Sequence, residues 1–165
     1  MSRVLDKVFF MYFLTHIPIS ICVDLQAVLP SWLYPSSLVA LKEWYCREYR
    51  DSMMMDPPQF FVSFCLCELI FQLPFFFVAS YAYYKGTAAC KWIRLPVIIY
   101  STHVITTLIA IIFHVFTTDF SKSRYPGPRT TQEKLALVSI YSPYLFVPMM
   151  LLADAFFSIR TVYDN

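Results

Sequence analysis

A chain of 165 residues that is 58% hydrophobic, 19% aromatic and only 15% charged is too apolar for a soluble domain of that size. Its net charge of +2 comes without a dense basic run, which excludes a nucleic-acid binder. The expectation is an integral membrane protein.

Apolar runs of about 20 residues, enough to cross roughly 30 Å of hydrocarbon as helix, occur at 8–28, 60–84, 93–117 and 135–159. The expected fold is therefore all-α, a four-transmembrane-helix bundle with a ligand cavity inside the membrane and a single domain over 1–165. Arg3 and Lys7 precede the first run as they would a secretory signal. No Ala-x-Ala site follows, and His16, Pro18 and Asp24 interrupt the apolar stretch, so it is a retained span. A carboxylate at membrane depth costs roughly 2.5–3.5 kcal/mol on insertion scales, which makes Asp24 a candidate functional residue. Pro18 cannot donate to the Leu14 carbonyl, so a kink is expected there. His16 and Asp24 lie roughly 80° apart around a helix and can border one cavity without touching.

Between Pro30 and Pro58, Leu38, Leu41, Trp44, Tyr45 and Tyr49 recur at helical spacing among Lys42, Glu43, Arg47 and Glu48. The pattern predicts an amphipathic interfacial helix over 38–50. Asp51 reads either as a solvated surface charge or as a group capping a helix or lining a cavity mouth. Glu68 and Gln72 in the second span share one helix face, and Pro74 frees the Ile70 carbonyl at the same level. The phenylalanines around them, Phe71 and Phe75–Phe77, face lipid or fill space.

The short basic connection Lys85–Arg94 belongs on the cytoplasmic side and puts both termini there, although the longer loops also carry basic residues. In the third span His103, Thr107 and His114 predict a polar stripe facing the bundle; Thr106 and Thr107 can also bond back to their own helix. In the fourth, Pro143 and Pro148 strip partners from the Ser139 and Tyr144 carbonyls, so irregular backbone is expected beside the Tyr141 and Tyr144 hydroxyls. Asp154 has no base at i+4 and is expected to snorkel to the interface. The five cysteines are an odd number, three of them inside spans, and read as buried thiols rather than disulfides. No repeat, Gly-rich nucleotide motif or zinc-spaced cluster occurs. No cofactor, metal or catalytic group is expected.

Asp24 and Glu68 have no lysine or arginine at comparable depth. Either they share a proton or a cationic ligand enters. The expected arrangement has Glu68 protonated and donating to Asp24, which pairs with an amine while Tyr141, Tyr144 and nearby phenylalanines supply cation-π contacts.

The motifs His16-Ile-Pro-Ile, Asp24-Leu-Gln-Ala-Val-Leu-Pro30, Leu33-Tyr-Pro35, Cys67-Glu-Leu-Ile-Phe-Gln-Leu-Pro74, Lys91-Trp-Ile-Arg94 and Tyr141-Ser-Pro-Tyr144 run through all four spans. In that order they resemble the EXPERA family, which includes sterol Δ8-Δ7 isomerases. The resemblance implies a homodimer of the endoplasmic reticulum membrane, able to reach lysosomal and plasma membranes, that binds sterols, oxysterols and lipophilic amines. It also implies an influence on cholesterol handling through the Niemann-Pick type C1 transporter and the low-density lipoprotein receptor. Asp24 then corresponds to the amine-binding carboxylate, Glu68 to its hydrogen-bonding partner and Asp51 to an aspartate implicated in ligand binding. His16, Gln72, Thr107, Tyr141 and Tyr144 match pocket positions. The chain departs from the pattern in a longer connection around Thr87-Ala-Ala, in Asp154, and in lacking a lysine-rich tail for retention after Asn165. The leading expectation is a non-enzymatic receptor. An isomerase using Glu68, Asp24 and His103 is the alternative, and a pure scaffold is a third.

Overall fold

The computed structural model describes residues 3–163, without the side chains of 122 and 159–163, and Asn165 lies outside it. Within the described residues the chain is helical and has no strand. In order it forms α1 (Val4–Cys22), α2 (Ser36–Glu48), α3 (Ser52–Met55), α4 (Gln59–Cys67), α5 (Leu73–Lys85), α6 (Arg94–Thr117) and α7 (Thr131–Tyr163), with short 3-10 turns between several of them. Four stretches are long and apolar enough to cross a membrane: Val4–Ala27, Gln59–Lys85, Lys91–Thr117 and Thr131–Ser158. The first and last begin four residues earlier than the apolar count put them, because Asp6 and Glu133 occupy first helical turns where carboxylates are favourable.

Prolines shape the backbone in three different ways. Pro18 stays inside α1, which ends four residues later at Cys22, and the chain tightens into a 3-10 turn at Asp24–Ala27. Pro74 follows a π-helical turn, Glu68–Gln72, that joins α4 to α5. A wider turn eases the clash between the proline ring and the carbonyl one turn back. Pro143 and Pro148, in contrast, leave α7 unbroken. The irregular backbone expected there does not form, and at Pro143 the reason is visible: Ser142 Oγ donates to the freed Ser139 carbonyl at 2.8 Å.

In space α1 pairs with α5 and α6 with α7. One apolar cluster, around Phe9, Phe13, Phe76, Tyr83, Val97 and Leu151, fills the end of the bundle near the start of α1. A second, around Met53, Phe61, Ile111, Val115 and Leu137, fills the other end beneath α2 and α3. Tyr141 packs against both, and the cavity opens between them. The phenylalanines after Glu68 divide accordingly. Phe71 and Phe77 point outward, Phe76 is fully buried, and Phe75 packs on Phe13 and Tyr100 at ring-centroid distances of 5.7 and 5.1 Å.

The amphipathic segment forms α2 and folds over the cavity. It turns Cys46 into the core and Tyr45 toward the cavity, while Leu41 and Trp44 remain exposed. Gln26 fastens this cap to the first span, its Nε2 donating to the Cys22 carbonyl at 2.5 Å and the Leu38 carbonyl at 3.1 Å.

Asp154 corrects an expectation. It is held by Arg3, whose guanidinium donates to both its oxygens at 2.8 Å, so its side chain is only 15% exposed rather than snorkelling outward. Asp51 is likewise no solvated charge: it is completely buried. The polar stripe on α6 also divides. Thr107 is buried and faces the cavity, bonding back to the Val104 carbonyl at 2.9 Å. His114 lies toward the far end of α6 between Phe60 and Phe120, with Thr118 Oγ1 at 3.0 Å from its Nδ1. His103 is not in the cavity wall, and its buried Nε2 has no hydrogen-bond partner.

Candidate ligand cavity

Two breaks in regular helix and one continuous helix assemble the site. The later turns of α1 and the 3-10 turn after it bring His16 and Asp24 to the cavity, the π-helical turn brings Glu68 and Gln72, and the middle of the unbroken α7 brings Tyr141 and Tyr144. Together with Thr107 of α6 they border a space of about 280 Å³ whose remaining walls are largely apolar, among them Phe61, Phe64, Val104 and Ile111. Such a composition, apolar with a few converging polar groups, is that of a small-molecule site. Among the described residues no lysine or arginine lines it.

The acidic end is compact. His16, Asp24 and Glu68 each present a donor atom within 4.8 Å of the other two. Like charges that close in apolar surroundings repel strongly unless a proton or cation comes between them. Ser20 donates to Glu68, and the facing oxygens of Glu68 and Asp24 lie within 4.8 Å of one another at the cavity wall. Ser20 was missed in the sequence, yet a signal existed: His16, Ser20 and Asp24 recur every four residues as a polar stripe along one apolar helix. His16 is held in place by its neighbours, stacking on Phe76 at 4.5 Å and against Tyr144 at 4.7 Å.

Asp51 does not line the cavity but stands directly behind its wall. Its Oδ2 accepts from the Tyr141 hydroxyl at 2.7 Å and the Tyr45 hydroxyl at 3.0 Å, and its Oδ1 caps α3 by accepting from the Met54 amide at 3.3 Å. Both tyrosines reach the cavity. Asp51 therefore acts on the site through them. Burial pushes its carboxyl above the usual range, and the bonds it accepts only partly offset that. The same surroundings raise the Tyr45 phenol and push the Cys46 thiol up to about 12. Tyr45 as a cavity residue was also missed, since its spacing in the sequence marks only the apolar face of α2.

Comparison with known proteins agrees with this architecture. Residues 37–155 match EXPERA (EXPanded EBP superfamily). The chain is 54% identical over 159 residues to Sigma intracellular receptor 2 of Xenopus tropicalis, covering 96% of this chain and 92% of that one. It is 51% identical over 156 residues to Sigma intracellular receptor 2 of Homo sapiens, covering 93% and 86%. A more distant relative, Efficient mitochondria targeting-associated protein 19 of Schizosaccharomyces pombe, is 27% identical over 153 residues, covering 91% and 74%. Four membrane-length helices, the family match and the identity over nearly the whole chain give one conclusion: the chain is a multi-pass membrane protein that belongs to the EXPERA family.

Proposed function

We propose that this chain is an intracellular membrane receptor whose cavity takes sterols, oxysterols and cationic amphiphilic amines, and that through them it regulates cholesterol homeostasis and trafficking. The observation that carries the reading is the pair Asp24 and Glu68, meeting in a largely apolar cavity that no lysine or arginine lines among the described residues. An amine supplies the missing positive charge to Asp24, and Ser20 anchors Glu68 beside it. Tyr141 and Tyr144 offer ring faces for a cation and for flat apolar surface. Gln72 and Thr107 are the neutral polar groups at the same level, suited to a sterol hydroxyl. Asp51 belongs to the site as the group that fixes Tyr141 and Tyr45. The frog and human relatives are named as intracellular receptors, which supports the same direction.

The proposal extends to a homodimer in the endoplasmic reticulum membrane, with both termini cytoplasmic and some protein in lysosomal and plasma membranes. Its partners are the Niemann-Pick type C1 transporter and the low-density lipoprotein receptor.

Saturable binding of a lipophilic amine such as N,N-dimethyldodecylamine to the purified chain tests the site. Removing one partner of a buried charge pair costs about 2–5 kcal/mol, so Asp24→Asn should weaken binding by about thirtyfold or more. Unchanged affinity in that variant overturns the reading. A second reading, sterol isomerase, draws on the convergence of His16, Asp24 and Glu68, three groups able to exchange protons. His103, the other group considered for it, lies outside the cavity wall. Conversion of a Δ8 sterol by the same purified sample would establish the enzyme. We expect none.

A further inference from the structure

We propose that His16, Asp24 and Glu68 form a binding site for a divalent transition-metal ion, which competes with amines for the same carboxylates. The inference deepens the receptor reading, since it rests on the same cation-deficient cavity. Three observations lead to it. The three donor atoms lie within 4.8 Å of one another although they come from separate turns of two spans. His16 is only 7% exposed, and its Nδ1 is buried with no hydrogen-bond partner, at the wall of this cavity. Buried ring nitrogens are normally paired, so an unpaired nitrogen on a ring that itself stands beside two carboxylates indicates an absent partner. Finally, Ser20 Oγ donates to Glu68 and so orients its carboxylate, the supporting bond that metal-ligating carboxylates characteristically carry.

Charge and donor chemistry select the ion. Two carboxylates and a neutral imidazole balance a dication completely, whereas a monocationic amine leaves one negative charge over. Calcium and magnesium demand six or more oxygen ligands or retained waters and take imidazole poorly. One nitrogen and two oxygens suit zinc, cobalt(II) or manganese(II), with a further position left for water or a ligand atom. Metal bonds of about 2.0–2.1 Å set tetrahedral donors about 3.3 Å apart. The 4.8 Å bound on the present spacing is therefore closed by small rotations of the carboxylate side chains.

The test uses the full chain, purified in detergent and stripped with a chelator, and titrates it with cobalt(II) while recording the visible spectrum. We expect the intense ligand-field bands of a low-coordinate ion, saturating at about one per chain. They should be displaced by zinc and suppressed by N,N-dimethyldodecylamine. His16→Gln and Asp24→Asn should each weaken cobalt binding at least about tenfold, with helicity by circular dichroism verifying the fold. A spectrum that stays that of the hydrated ion overturns the proposal without recourse to the variants. So does undiminished affinity in folded His16→Gln, and a bound spectrum that the amine leaves unchanged overturns competition at a shared site. Amine binding to the metal-free protein is measured in parallel. If it persists while cobalt fails, only the metal site falls; if cobalt binds and the amine does not, the receptor reading fails instead.

Discussion

Asp51 shows how a buried carboxyl can be structural and still act on a cavity wall. Its two oxygens take three bonds, two from phenols in the cavity wall and one from the backbone of α3. Asp51→Ala would leave the Tyr45 and Tyr141 hydroxyls unpaired, at about 1–3 kcal/mol for each that finds no new partner. Thermal unfolding in detergent should fall accordingly. A pH scan separates the charge from the shape. Because burial raises the folded-state pKa above the unfolded one, the folded protein holds this proton more tightly. The corresponding stability is present below the ordinary carboxylate range and is lost as pH rises through the raised value. Asp51→Asn removes that titration, so the melting temperature of the parent should fall relative to Asp51→Asn as pH is raised; parallel curves would show that Asp51 contributes no such titration.

At the scale of the element, the π-helical turn is what sets Glu68 against α1. Proline at position 74 offers no amide to the turn before it, and the wide turn Glu68–Gln72 accommodates the loss. Pro74→Ala restores the amide, lets a regular α-helical turn form and rotates Glu68 relative to Ser20. Amine affinity should drop about tenfold or more, about 1.4 kcal/mol or more, while the melting temperature stays within a few degrees; an unchanged affinity would detach the turn from the site. Much of this was legible in the sequence. Acidic and polar side chains in spans that otherwise exclude them identify Asp24, Glu68, Gln72 and Thr107, and the proline rule locates the break in the second span. The pairings were not legible. Glu68 is 48 residues from Ser20 and Asp51 is 90 from Tyr141, separations that no helical spacing rule spans. The fate of Pro143 was hidden for a simpler reason: a serine one residue earlier satisfies the carbonyl the proline leaves free.

Across the whole molecule, the connection at Thr87 and the distant Asp154 belong together. Arg3 joins them. Its guanidinium donates to both oxygens of Asp154, to Asp6 Oδ1 at 3.1 Å and to Thr87 Oγ1 at 2.9 Å, and Thr87 in turn donates to Asp6 at 3.0 Å. The start of α1, the α5–α6 connection and the end of α7 are thereby clasped at one end of the bundle, where Gly86, with φ of 90°, turns the chain out of α5. The Asp6 carboxylate is enclosed, with 2% of its side chain exposed, while that of Arg3 is 44% exposed. Solvent therefore screens part of the attraction, and the bidentate geometry rather than bare charge is what the network adds. A double-mutant cycle with Arg3→Met and Asp154→Asn should return a coupling of about 1 kcal/mol in thermal or denaturant unfolding. Amine affinity should change less than about twofold in either variant, because the clasp lies at the start of the first span and Asp24 beyond the other end of α1. Additive losses of stability would show that Arg3 and Asp154 act independently; a loss of amine binding with the fold intact would show that the clasp also sets the position of Asp24.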